Sequence, residues 1–140
     1  MMTKTIALIS ATALSIVGTA AWAESAGERE YQNACAVCHG ADGSGNGPLS
    51  KVMNTSAPDL TQLTQNADGE FPMLHVVRVI DGRTGVAAHG SATPDWAGGM
   101  PVWGDRFEAE AGEQYGTYGK ELFVRGRVMV LADYLESIQK

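Results

Sequence analysis

Cysteine is scarce in this 140-residue chain: Cys35 and Cys38 are the only two, and they lie three positions apart. With no second pair, a zinc site would need further ligands that the spacing does not offer. A dithiol redox site needs a βαβ context, which the sequence also lacks. Basic residues are few, ten Lys and Arg against sixteen Asp and Glu. The formal charge of −6 argues against nucleic acid and anionic membrane surfaces as partners. It suits protein partners that present basic patches. After residue 23 there is no long apolar run, and nowhere is there an internal repeat or a low-complexity segment.

The first 23 residues differ from the rest. Lys4 and the amino terminus are followed by an apolar run from Ile6 to Val17 and then by Ala21-Trp22-Ala23. That order is the pattern of a cleavable export signal, and the run is short for a membrane span. The alternative is an uncleaved anchor. The expected organisation is a signal over 1–23 and one domain over 24–140, placed in the periplasm and not inserted in a membrane after cleavage. Lys4 is the one charged residue of the signal, so the remaining domain is more acidic still. A domain of this size has little core of its own, and a bound prosthetic group would supply a large apolar body at its centre.

Both cysteines belong to Cys35-Ala36-Val37-Cys38-His39. This C-x-x-C-H order is the attachment pattern of a c-type haem. Each thiol can add to one vinyl group of the porphyrin, and His39 can place an imidazole nitrogen on the iron. In an exported protein the pair alone would also suit a disulfide; the adjoining histidine favours haem. A proximal histidine normally gives its second ring nitrogen to an acceptor. The loop Gly40–Pro48, with four glycines and a proline, offers a carbonyl near Pro48.

Elsewhere the pattern predicts short helices and loops. Ser25 and Glu28 cap a helix from Ala26 to Cys35, with Gly27 and Tyr31 on one face. Ser56–Thr61 reads as an extended turn with a short helical start, and Phe71–Ile80 as a helix ended by Gly82. Thr84–Pro94 reads as a loop. Asp105–Gly119, acidic and glycine-bearing, reads as a solvated loop or frayed helix. Leu122, Val124, Val128, Leu131, Leu135 and Ile138 predict a last helix over about 120–138.

A second axial ligand decides the chemistry. Met100 sits in the glycine–proline stretch Gly98-Gly99-Met100-Pro101, where a turn can aim its thioether. Met73 and Met129 read as core, Met53 is too close to His39 in sequence, and His75 and His89 are rivals. A His/Met iron has no vacancy for substrate, and methionine raises its potential. Trp96 and Trp103 offer flat faces for the haem rim, and their N–H groups can reach a propionate. Arg78, Arg83 and Trp103 are the candidate propionate donors; the alternative for each arginine is a solvated surface charge.

Taken together these motifs resemble a class I c-type cytochrome, over the whole of residues 24–140. The resemblance implies an all-α cytochrome c fold, with first and last helices crossing around one covalently bound haem c. It implies Cys35 and Cys38 as thioether positions, His39 and Met100 as iron ligands, and Pro48 as the proline whose carbonyl orients His39. It also implies that Gly27 and Tyr31 meet the region of Leu131 and Tyr134. The expected function is a monomeric, non-enzymatic carrier of single electrons between redox proteins. The alternatives are a dedicated cytochrome subunit of a dehydrogenase or oxidase, and a haem enzyme or gas sensor with an open distal site. The length of the acidic segment Asp105–Gly119 motivates the first of these.

Overall fold

The structure is a computed structural model, and it describes residues 24–53, 56–84 and 99–140. Five α-helices carry the fold: α1 (Ala26–Ala34), α2 (Ala36–His39), α3 (Met73–Asp81), α4 (Trp103–Ala111) and α5 (Gly116–Ser137). Short 3-10 turns lie at Pro48–Lys51, Leu60–Gln62, Gln65–Ala67 and Glu113–Tyr115. No strand occurs among the described residues. The architecture is all-α, and α5 packs against α1, α3 and α4.

Helix α1 starts where its cap requires. The Glu28 amide donates to Ser25 Oγ at 3.0 Å, satisfying one of the four N–H groups a helix start leaves open. Gly27 and Tyr31 are both buried. Gly27 is the crossing point with α5. A Cβ there would overlap the Val130 carbonyl oxygen and lie 2.8 Å from Tyr134 Cβ. No residue but glycine lets the two backbones approach so closely. One turn on, the Tyr31 and Tyr134 rings stand with centroids 5.2 Å apart.

The buried stripe of α5 is Val124, Val128, Leu131 and Leu135, with Ala132 beside it. This is the expected helical spacing, but Leu122 falls off it and is 56 % exposed. The helix also begins at Gly116 rather than near Lys120.

The acidic segment is a correction. Asp105–Gly119 is not a solvated loop: residues through Ala111 form α4, which buries Gly104, Phe107 and Ala111. Phe107 and Ala111, four apart, make an apolar stripe on the core. Three exposed acidic side chains of the segment reach basic partners. Glu108 reaches Arg83 at 3.5 Å, Glu110 pairs with Arg127, and Glu113 with Lys120. Arg127 also pairs with Glu30 at 2.6 Å, so one guanidinium joins α1, α4 and α5. It sits 3.9 Å over the Phe107 ring, a cation–π contact that anchors the fork.

Among the described residues no helix is long and apolar enough to cross a membrane.

Candidate functional site

The motif sits on the bend between α1 and α2. Cys35 ends α1, donating its amide to Tyr31 O at 2.8 Å, and its own carbonyl receives the His39 amide at 2.9 Å. Two short helices meeting at Cys35 thus display Cys35, Cys38 and His39 within a single turn. Behind them, the Tyr31 hydroxyl donates to Gly40 O at 2.7 Å in a buried bond. The glycine loop then folds back on the motif, with Gly45 N donating to His39 O at 2.7 Å and Gly47 N to Cys38 O at 3.1 Å.

His39 is buried, and its Nδ1 lies 3.2 Å from the carbonyl oxygen of Pro58. A carbonyl can only accept, so Nδ1 carries the proton and Nε2 is left with its lone pair free. Burial lowers the His39 pKa, only partly offset by the bond to Pro58, and burial thus favours a neutral ring with one available nitrogen.

The acceptor is therefore Pro58 and not Pro48. The reason is a loop-to-loop bond. Leu60 N donates to Gly43 O at 2.7 Å, which lays the segment ending in Pro58 beside the motif. Asp59 holds the turn that follows, accepting from Thr61 N at 2.8 Å and from Thr61 Oγ1 at 2.7 Å. Pro48 opens an exposed 3-10 turn instead.

Cys35 and Cys38 are free thiols. Burial, reinforced by Glu30 and Cys38, pushes the Cys35 thiol up to about 12. Burial raises Cys38 as well. Thiols held protonated are poor dithiol-exchange nucleophiles. Among the described residues no cluster of three or more His, Cys, Asp or Glu could hold a bare metal ion.

One cavity of about 280 Å³ opens in front of the motif. Cys35, His39 and Tyr31 form one part of its wall, and Met100 another. Val76, Val79 and Ile80 of α3 and Leu131 and Leu135 of α5 complete an apolar lining. The Cys35 thiol, an imidazole with a free nitrogen and a thioether around an apolar space, with Cys38 one turn along the motif, are a donor set that fits haem c. His75, one of the two rival ligands read from the sequence, also lines this wall, although it is exposed on α3. Pro58, Leu60 and Leu63 line it too, and only the Ser56–Thr61 turn was visible beforehand.

Two expected cofactor contacts are not among the residues lining the cavity. The Arg83 guanidinium is bound to Asp81, Glu121 and Glu108, which compensate its charge. Trp103 begins α4, meets the Phe107 ring at a tilt with centroids 5.6 Å apart, and packs against the core; it is not among the residues lining the cavity. Arg78 stands exposed on α3. Trp96 and His89 lie outside the described residues.

The fold and this constellation define a cytochrome c domain. The chain belongs to the family of cytochrome c oxidase, cbb3-type, subunit III, whose model matches residues 23–114. That family is one of c-type cytochromes with covalently bound haem c, so membership implies haem-based electron transfer with redox partners rather than catalysis. No curated protein and no solved structure matches the chain significantly.

Proposed function

We propose that this chain is an exported cytochrome with a single haem c, carrying one electron at a time between protein partners. Cys35 and Cys38 would hold the cofactor as thioethers, and His39 and Met100 would be its axial ligands. The observation that carries this reading is that His39, Met100 and the first motif cysteine, Cys35, line one apolar cavity. Haem c, when bound, supplies an iron that exchanges a single electron.

The protein's own contribution is to fix and seal. Pro58 holds the His39 ring in the tautomer that leaves Nε2 free. The leucines and valines of α3 and α5 keep water out, which disfavours extra positive charge and so raises the potential. Thioether ligation acts in the same direction. The single C-x-x-C-H motif supports one haem, and residues 1–23 support export to the periplasm. The acidic balance of the chain supports partners with basic docking patches.

A pyridine haemochrome spectrum of the purified protein, before and after acid extraction of free haem, tests type and attachment together. Carbon monoxide added to the reduced protein tests the closed distal side. Rapid, tight binding would sink the His/Met reading and favour a haem enzyme or gas sensor.

A second reading is a dedicated subunit of one oxidoreductase, and it is favoured by the family description, which names an oxidase subunit. The acidic segment still presents Glu108, Glu110 and Glu113 on its surface, although each has a basic partner within the chain. Stoichiometric co-purification with a larger redox enzyme would select it over the free carrier.

A further inference from the structure

Helix α3 ends and α4 begins on the same ion cluster. Asp81 is the last residue of α3, and Gly82 follows in the left-handed region at φ 72°, a turn that glycine makes without strain. The chain therefore folds back, and Arg83 grips the helix it has just left. Its Nε donates to Asp81 Oδ1 at 2.7 Å and its Nη2 to Asp81 Oδ2 at 2.9 Å. The remaining Nη1 donates to Glu121 of α5 at 2.9 Å and reaches Glu108 of α4 at 3.5 Å.

The returning chain is seated against this cluster. A Cβ on Gly104, the second residue of α4, would lie 2.5 Å from Arg83 Nε and overlap the Asp81 carboxylate. A Cβ on Gly82 would lie 3.2 Å from Val102 Cγ1 and 3.3 Å from Val102 Cα. Met100 stands two residues before Val102. So one guanidinium fixes both the point where the chain leaves α3 and the point where it returns with Met100.

We propose that Arg83 is the positioning residue for Met100 as a distal ligand. It touches neither the cavity nor the thioether; it acts through the backbone of residues 101–104. The inference rests on the reading of Met100 as a ligand. A neutral thioether binds weakly, so its hold depends on being kept in place rather than on charge. Arg is the residue for this task because its planar fork binds Asp81 through two nitrogens and leaves a third for α5. With the fork removed, the state in which the thioether has left its place becomes more populated, and an added competitor binds in proportion to that population.

The test uses the haem-loaded protein and Arg83→Gln, which removes the fork and keeps most of the side chain's bulk. The ferric thioether-to-iron absorption band should lose intensity, and the reduction potential should fall. The apparent affinity for added imidazole should rise about tenfold. Arg83→Lys should restore part of the band, since it returns the charge without the fork. Glu110→Gln is the control. It breaks a pair with Arg127 that touches neither Arg83 nor the cavity and should lower the melting temperature while leaving band, potential and imidazole affinity unchanged. If Arg83→Gln also melts lower but keeps the wild-type band and imidazole affinity, Arg83 is only structural and the proposal is overturned. If the wild-type protein has no such band, and Met100→Ala changes neither spectrum nor potential, the ligand reading fails first and takes this inference with it.

Discussion

The Nδ1 atom of His39 donates to the carbonyl oxygen of Pro58 across nineteen positions of sequence. The bond decides the tautomer of a buried imidazole, and with it which nitrogen faces the cavity. Because the acceptor is backbone, its position depends on how stiff the chain is there. Pro58→Gly should loosen it, cost about 1 kcal/mol through the more flexible unfolded chain, and make the imidazole a poorer electron donor. The reduction potential should then rise, measured by redox titration. Pro48→Ala, on the exposed turn, should leave the potential unchanged.

Gly27 and Gly126 form a matched pair of opposite outcome. A Cβ on Gly27 would collide with the Val130 carbonyl, whereas one on Gly126 meets nothing within 4 Å. Gly27→Ala should force α1 and α5 apart and cost about 3 kcal/mol, at the upper end for overpacking. Gly126→Ala, in mid-helix and open to solvent, should gain up to about 1 kcal/mol. Chemical denaturation of both variants reads the difference directly.

Removing the Tyr31 hydroxyl should be costly although no bulk is lost. Tyr31→Phe leaves the Gly40 carbonyl without its 2.7 Å donor, in a place where Tyr31 itself has no exposed surface. A buried acceptor stripped of its partner costs about 1–3 kcal/mol. The melting temperature should drop accordingly, with the haem spectrum retained.

Acid should weaken the protein through Asp81. The Arg83 guanidinium beside it holds its carboxyl below the usual carboxylate range in the folded state. The unfolded chain then binds the proton more readily than the folded one. The stability this pair contributes is complete well above pH 4 and is lost as the pH falls below about 4, through the depressed folded value. In Asp81→Asn that part of the acid-induced loss should disappear, which a comparison of denaturation midpoints between pH 3 and 6 would show.

Much of this site could be read from residues close together in sequence, and much of the rest could not. The Ser25 cap, the Gly27–Tyr31 face and the Cys35–His39 motif are local signals, and each lies where its spacing put it. Helix α3 starts two residues later than its pattern suggested and ends at the Gly82 stop as expected. What escaped depends on partners far along the chain. Pro48 and Pro58 are equally good acceptors on paper, and the Leu60–Gly43 bond chooses between them. Arg83 looked available to a propionate because Glu108 and Glu121, which hold it, come from two other helices. Of the two readings of Asp105–Gly119, the helical one holds through Ala111, and its firmness escaped because the arginines that meet its charges are remote in sequence. Leu122 looked like part of the apolar stripe, but it precedes Val124 by two positions and so points away from it.

The clasp between α1 and α5 also constrains the order of assembly. Arg127 and Glu30, paired across the crossing, are ninety-seven positions apart. Closing so long a loop is entropically slow, and contacts of that range form late in folding. Helix α5, which adds Leu131 and Leu135 to the cavity wall, follows α1 and α2 in the chain by about eighty residues. Cys35 and Cys38 would therefore stand on an open α1–α2 hook before the wall opposite them arrives. A cofactor joined to them would enter in that interval, and the closing of α5 would then lock it in.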